Sequence, residues 1–314
     1  MKCVKIVDVK KLELSEMEKP VSKNGSVVFK VEAAGICGSD IHNWDNGGPV
    51  GLVLGHEFAG TVIDPGCRED LKVGDRITGL PISPCGVCEA CKNGNPQFCF
   101  KTWNEAVGLA LTNPGAYAEY SSCRADYVKK LPDNVSFEEG CMVEPSAVSL
   151  HAVNLANIKV GDRVLIVGAG IIGLMAAEFA KKDGASYVAL VEVNKKRGEK
   201  AKSYGFVDEY FDGRDEKLVE KLMGASAGGF DKVIECCGNS AAVSEAIMAV
   251  KPGGTVILVG VSTTPVTTPL VLAVMREAKL QGAIAYTETE FDTVIRLISQ
   301  KIVDVNKSYS LKCN

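Results

Sequence analysis

Histidine is scarce in this chain, with three in 314 residues, and aromatics make up only 6%. A basic excess is missing too. Thirty-five Lys and Arg stand against 39 Asp and Glu, a formal net charge of −4. That balance argues against a dedicated nucleic-acid binder, whose electrostatic footprint is basic. Long apolar runs are absent: the most apolar region, 164–177, lies between Arg163 and Glu178 and contains three glycines. It is too short to span a bilayer, so no membrane partner is expected. The first residues, MKCVKIVDVKKLELSEMEK, are studded with charge and hold no apolar h-region. They do not read as a signal peptide, and a cytoplasmic chain with reduced thiols is expected. Short repeats, low-complexity tracts and long linkers are also lacking.

What is present is a globular composition, 46% hydrophobic and 24% charged, in a length that suggests about two domains. It also carries twelve cysteines. In a reducing compartment such a number asks for metal binding, catalysis or simple burial.

Up to about residue 145, short β-rich runs alternate with glycine and proline, as in Gly25-Ser26-Val27-Val28-Phe29-Lys30-Val31 and Gly60-Thr61-Val62-Ile63. This pattern suggests a compact antiparallel barrel or sandwich. After about residue 150 the texture changes. Apolar runs at 163–167, 187–192, 232–235, 255–259 and 280–285 alternate with amphipathic stretches at 174–182, 195–204, 218–223 and 241–250. Such alternation predicts an α/β fold with a doubly wound parallel sheet.

Val164-Leu165-Ile166-Val167 runs directly into Gly168-Ala169-Gly170-Ile171-Ile172-Gly173, and Glu192 follows 19 residues after Gly173. A predicted strand precedes this G-x-G-x-x-G and a predicted helix follows it. An acid at this distance reaches the ribose hydroxyls of a dinucleotide. The glycines serve the tight turn, the approach of pyrophosphate and the helix–strand contact, and the helix N-terminus offers amides to phosphate. Glu192 repels a 2′-phosphate, which favours NAD over NADP. Lys195, Lys196 and Arg197 pull the other way, or simply open the next helix.

Cys85, Cys88, Cys91 and Cys99 form C-x2-C-x2-C-x7-C among prolines and glycines. A loop of this kind cannot build its own core, whereas four thiolates can hold one tetrahedral Zn²⁺. An iron–sulfur cluster is the alternative, but the usual bacterial spacing and its trailing proline are missing. A second group lies in Cys37-Gly38-Ser39-Asp40-Ile41-His42 and Gly55-His56-Glu57. Thiolate, imidazole and carboxylate are the ligand types of a catalytic zinc with an open position. Cys37 also fits a small buried thiol, and His56 a hydrogen-bonded core histidine. Glu144, in Cys141-Met142-Val143-Glu144-Pro145, needs a metal, a cation or a proton in its apolar context, or else opens a helix beside Pro145.

GICGSDIH, LGHEFAG, the four-cysteine lobe, the segment around Glu144, VLIVGAGIIGL and GGTVILVG occur in one order along nearly the whole chain. The combination resembles the zinc-dependent medium-chain dehydrogenase/reductase superfamily, within its polyol (sorbitol-like) and threonine dehydrogenase branch. The resemblance implies a GroES-like β-barrel catalytic domain followed by a Rossmann domain. The expected boundaries are 1–149, with the structural-zinc lobe at about 84–100, then 150–290, then a returning segment at 291–314. It implies Cys37 and His56 as catalytic-zinc ligands, with Glu57 and Glu144 as the two acids that complete or exchange within the shell. Cys85, Cys88, Cys91 and Cys99 would hold the structural zinc. Ser39 and His42 would relay a proton. Gly168, Gly170, Ile171, Ile172, Gly173, Glu192, Arg197 and Val259 would contact the cofactor. The implied activity is hydride transfer between a secondary alcohol and NAD, in a homodimer or homotetramer.

Two departures qualify the resemblance. Ala285 stands where sorbitol-type enzymes carry an arginine, and the loop 43–54 is short. Both weaken the case for sorbitol itself and leave a smaller, less polar or phosphorylated alcohol open, and Trp44 and Trp103 either line the pocket or simply pack near it. The chain also stops at Lys312-Cys313-Asn314, earlier than is usual in this family. The expectation drawn from that is reduced stability. The alternative to an active enzyme is a weakly active or inactive zinc- and NAD-binding module.

Overall fold

A computed structural model describes residues 1–22 and 25–308. The last six residues, Cys313 among them, lie outside the described residues. Two compact units emerge. One comprises Met1–Ala147 and Tyr286–Ile302; the other comprises Val148–Ala285 and the chain from Val303.

In the first unit, β1 (Lys2–Asp8) and β2 (Lys11–Glu16) form an antiparallel hairpin. A five-stranded antiparallel sheet is built from β3 (Ser26–Ala34), β4 (Phe58–Asp64), β5 (Arg76–Gly79), β6 (Tyr120–Arg124) and β7 (Val128–Lys130). Its order is β6-β3-β4-β5-β7. Alternate side chains point inward, so Val27, Phe29, Phe58, Val62 and Ile77 form one apolar cluster. Phe29 and Phe58 stack at 4.8 Å. Between strands lie α1 (Gly38–Asn46), the single turn α2 (Glu89–Lys92), α3 (Phe137–Cys141) and the start of α4 (Val143–Ala156). A Ser136/Glu139 capping box opens α3, each partner satisfying the other's free amide.

The second unit holds a six-stranded parallel sheet of β8 (Arg163–Val167), β9 (Tyr187–Glu192), β10 (Glu209–Asp212), β11 (Phe230–Glu235), β12 (Val250–Leu258) and β13 (Lys279–Gly282). The order is β10-β9-β8-β11-β12-β13. The crossovers are α5 (Ile171–Lys182), α6 (Lys195–Lys202), α7 (Leu218–Ala225), α8 (Ser240–Ala249) and α9 (Leu270–Met275). This is the doubly wound order with its switch point between β8 and β11, where ligands bind beyond the carboxyl ends of the strands. The central strands are covered on both faces, and Leu165, Val167, Val191, Val233 and Val256 share one core.

The α/β class expected from the sequence is therefore observed. Two strands differ in detail. β10 gives no apolar run in the sequence, because Glu209-Tyr210-Phe211-Asp212 is a four-residue edge strand with only two aromatics between two acids. β13 begins earlier than the apolar run at 280–285, and all four of its residues are exposed.

Helix α10 (Glu288–Ser299) belongs with the first unit. A Thr287/Glu290 capping box starts it. Lys129 Nζ meets Glu288 at 2.5 Å and Asp292 at 3.1 Å, and Lys301 Nζ meets Glu139 at 2.9 Å. Among the described residues no helix is long and apolar enough to cross a membrane.

Candidate functional site

The sharp turn before β4 and the start of α1 bring Cys37, His56 and Glu57 together. One ligand atom from each lies within 4.8 Å of the others, with His56 and Glu57 buried. Asp40, in the first turn of α1, organises this cluster. Its Oδ2 accepts from the Cys37 amide at 3.0 Å and from the Tyr117 hydroxyl at 3.0 Å. Its Oδ1 lies 3.5 Å from His56 Nδ1, and neither atom has another hydrogen-bond partner among the described residues.

The electrostatics are those of charges crowded away from water. Burial, and next the Glu144 charge, push the Glu57 carboxyl up to about 8. Burial opposes a charged His56, but Asp40, Cys37 and Glu144 outweigh it and hold the imidazole well above its usual value. Glu144 sits in the first turn of α4 and is raised by burial. It lies outside the three-residue cluster: its Oε1 accepts from the Tyr286 hydroxyl at 2.9 Å. Ser39 and His42 lie three residues apart on α1, neighbours on one helical face, with His42 exposed.

Cys85, Cys88, Cys91 and Cys99 form a second cluster, with all four sulfurs within 4.8 Å. Backbone amides point at the sulfurs: Cys88 N to Cys85 Sγ at 3.4 Å, Cys85 N to Cys99 Sγ at 3.3 Å, Lys101 N to Cys99 Sγ at 3.4 Å. Amides of Val87 and Cys88 lower the Cys85 thiol to about 6, whereas burial and the neighbouring sulfurs push Cys91 up to about 12. Four thiolates this close repel one another unless a cation sits among them.

In the second unit the glycine loop leaves β8 and opens α5. A Cβ on Gly173 would stand 1.9 Å from Gly168 O, so only glycine permits that contact. A Cβ on Gly170 would meet nothing within 4 Å, which leaves open space beside the helix N-terminus. Ile171 and Ile172 begin the helix. Glu192, ending β9, turns both carboxylate oxygens to this corner, accepting from Ala169 N at 2.9 Å and Asn194 N at 2.8 Å. Arg197 is exposed on α6, whose N-cap is Asn194. Val259 follows β12, and its amide donates to Glu235 O at 2.8 Å. A separate cavity of about 760 Å³ at Lys195, Tyr210, Asp212 and Lys221 mixes charges of both signs and gathers no convergent donor set.

Sequence reasoning passed over Asp40, Tyr117 and Tyr286. Asp40 was legible as the acid between Ser39 and His42, since metal-binding histidines are commonly oriented by a carboxylate. Tyr117 and Tyr286 gave no local signal, being 77 and 142 residues from their partners.

Comparison with known proteins gives the family. Residues 23–133 match the alcohol dehydrogenase GroES-like domain, and residues 172–300 match the zinc-binding dehydrogenase domain. Sorbitol dehydrogenase of Bombyx mori is 33% identical over 307 residues, covering 94% of this chain and 87% of the relative. Among solved structures, 2R,3R-butanediol dehydrogenase of Bacillus subtilis superposes with a TM-score of 0.85 at 29% identity, covering 98% of this chain and 90% of that one. A protein of Sinorhizobium meliloti 1021, solved bound to NADP, gives 0.88 at 30% identity over the same shares. The chain belongs to the zinc-dependent medium-chain dehydrogenase/reductase superfamily, in its polyol branch.

Proposed function

We propose that the protein is a zinc-dependent dehydrogenase that interconverts a secondary alcohol of the diol or polyol class and its ketone with NAD. The observation that carries this reading is the triplet of half-buried Cys37 with buried His56 and Glu57, three chemically distinct donors within 4.8 Å. That donor set fits Zn²⁺, which takes thiolate, imidazole and carboxylate together. With Nδ1 turned to Asp40, the ring leaves Nε2 to the metal. Glu144 is the acid in reserve, held by Tyr286. Cys85, Cys88, Cys91 and Cys99 fit a structural zinc with no open position.

When bound, Zn²⁺ supplies Lewis acidity towards an alcohol oxygen and NAD⁺ supplies the hydride acceptor. The chain does the rest. Cys37, His56 and Glu57 hold the metal, and Asp40 fixes His56 and the Cys37 amide. The Ser39 hydroxyl takes the substrate proton and His42, exposed one helical turn on, passes it to solvent. The loop 168–173 receives the pyrophosphate, with Ile171, Ile172 and Val259 beside the dinucleotide. Glu192 accepts from ribose hydroxyls and disfavours a 2′-phosphate, so NAD is the better substrate although a neighbour was solved with NADP. Arg197 flanks the ribose side.

Butanediol dehydrogenase and sorbitol dehydrogenase relatives support a diol or polyol substrate. Ala285 offers no cation at the position that the sequence singled out, which favours small diols over extended polyols. Similarity over 87% of a sorbitol dehydrogenase together with a full donor set favours an enzyme over an inactive binding module. A reducing, cytoplasmic setting is supported by free thiols throughout the described residues. The exposed edge strand β13 supports pairing with a second copy.

The test is a panel of diols, polyols and phosphorylated polyols with zinc and either NAD⁺ or NADP⁺, following absorbance of the reduced cofactor. Turnover of at least one secondary alcohol is expected, with kcat/KM higher for NAD⁺, and Cys37→Ala and His56→Ala should lose it. Undiminished turnover by metal-free Cys37→Ala protein would defeat the proposal.

A further inference from the structure

The parallel sheet ends in a carboxylate that the mechanism above leaves without a task. Glu235 is the last residue of β11, paired with Val167 on β8 and Leu258 on β12. Those strands lead into the glycine loop and into Val259. The Glu235 side chain is 0% exposed. Its Oε1 accepts from the amides of Cys237 at 2.6 Å and Gly238 at 2.8 Å, while Oε2 has no partner among the described residues. Its backbone carbonyl accepts from Val259 N at 2.8 Å and Gly260 N at 3.1 Å. Burying a carboxylate with one oxygen unsatisfied is costly, and an apolar side chain there would favour stability alone. The acid therefore points to a purpose other than packing.

The 236–238 turn that Glu235 holds is a wall of the dinucleotide crevice. Cys236 N donates to Val167 O at 2.9 Å. A Cβ on Gly168 would stand 2.7 Å from Cys237 Sγ, so the turn lies directly against the glycine loop. On its other side it meets the loop after β12, where a Cβ on Gly260 would stand 2.0 Å from Gly238 N. The turn is wedged between two loops of the crevice, and two short charge-assisted bonds to one carboxylate oxygen set its backbone.

We propose that Glu235 is a positioning residue for the dinucleotide: by fixing the 236–238 turn opposite the glycine loop it sets cofactor affinity without touching the reacting atoms. This rests on the reading of 168–173 as the dinucleotide site. The side chain sets the turn after β11, while the backbone carbonyl of the same residue holds the loop after β12, so a change of side chain acts on the 236–238 turn alone. Glutamine at 235 keeps the Oε1 acceptor and its reach; alanine removes it; aspartate withdraws it by one methylene.

The experiment titrates NADH into the full-length wild type, Glu235→Ala, Glu235→Asp and Glu235→Gln, following nicotinamide fluorescence, and adds steady-state kinetics. Alanine and aspartate should each weaken NADH binding about tenfold and raise KM for NAD⁺ in proportion, with kcat within about twofold of wild type. Glutamine should stay within about threefold of wild type in both. Aspartate carries the test if the alanine variant does not fold. Binding by alanine and aspartate as tight as wild type overturns the inference, as does a glutamine variant as weak as alanine, or a fall in kcat at unchanged KM. If the wild type itself binds no NADH, the reading of the glycine loop fails instead, a separate outcome.

Discussion

At the residue scale the candidate metal centre, half-buried Cys37 with buried His56 and Glu57, suits a cation and suits its absence poorly. Unfolded, Glu57 releases its proton near 4.5; folded and metal-free, it keeps it to about 8. The native state thus holds the extra proton across that interval, so metal-free stability falls as pH rises from about 4.5 to about 8. His56, raised above 6.5, acts with the same sign, being protonated longer in the folded chain. The thermal midpoint of zinc-stripped protein should decline over this window, with a smaller slope in Glu57→Gln. A midpoint that rises equally in both proteins would sink the account. Tyr286 gives a second prediction. Its hydroxyl lowers the raised Glu144 carboxyl, so Tyr286→Phe should push it further up and cost about 1 kcal/mol of stability. If ionised Glu144 serves turnover, the acid limb of kcat/KM against pH moves to higher pH; an unmoved limb rules that role out. Cys37, His56 and Glu57 were legible because they cluster within two short motifs. Tyr117 and Tyr286 were not, because only the folded chain brings them to their partners.

At the scale of elements, the sequence announced the parallel sheet through runs such as Val164-Leu165-Ile166-Val167, apolar on both faces because both are covered. The edge strand β10 escaped the same logic, since its four residues hold two aromatics between two acids and give no continuous apolar signal, whereas β13 was announced by the run at 280–285 with its bounds shifted. The cysteine lobe was legible for the opposite reason: its four cysteines fall within fifteen residues among prolines and glycines, and its single turn α2 has no buried residue and so no core of its own. Structural zinc supplies folding free energy outright, roughly 10–16 kcal/mol in small zinc peptides. Cys88→Ser should therefore lose one zinc per chain and open the stretch 84–100 to protease, while the five-stranded sheet persists. Metal analysis by atomic emission and mapping of the first cleavage check this. Full zinc content with an uncut lobe would refute the structural-zinc assignment.

At the scale of the whole molecule, the exposed end of the parallel sheet carries the remaining argument. β13 presents four exposed residues, and on α9, the helix that precedes it in the same unit, Val271, Val274 and Met275 are 63%, 75% and 77% exposed. Leu280 and Ile284 add to the same region of sequence. An edge strand offers unpaired backbone groups, and apolar side chains around it lower the cost of covering them. Proteins that stay monomeric usually guard such an edge with charge or proline, yet here Lys279 is the only charged residue of the strand. A second copy related by a two-fold axis can set β13 against its own counterpart and bury both patches at once. The wild type is expected to sediment as a dimer or larger at micromolar concentration. Leu280→Lys and Val274→Glu each place charge in the patch without touching any candidate zinc ligand or the glycine loop. Together they should yield a monomer that keeps its zinc and its affinity for NADH. A wild type that is monomeric across the whole concentration range, or a double variant that sediments unchanged, would show that this edge stays open in solution.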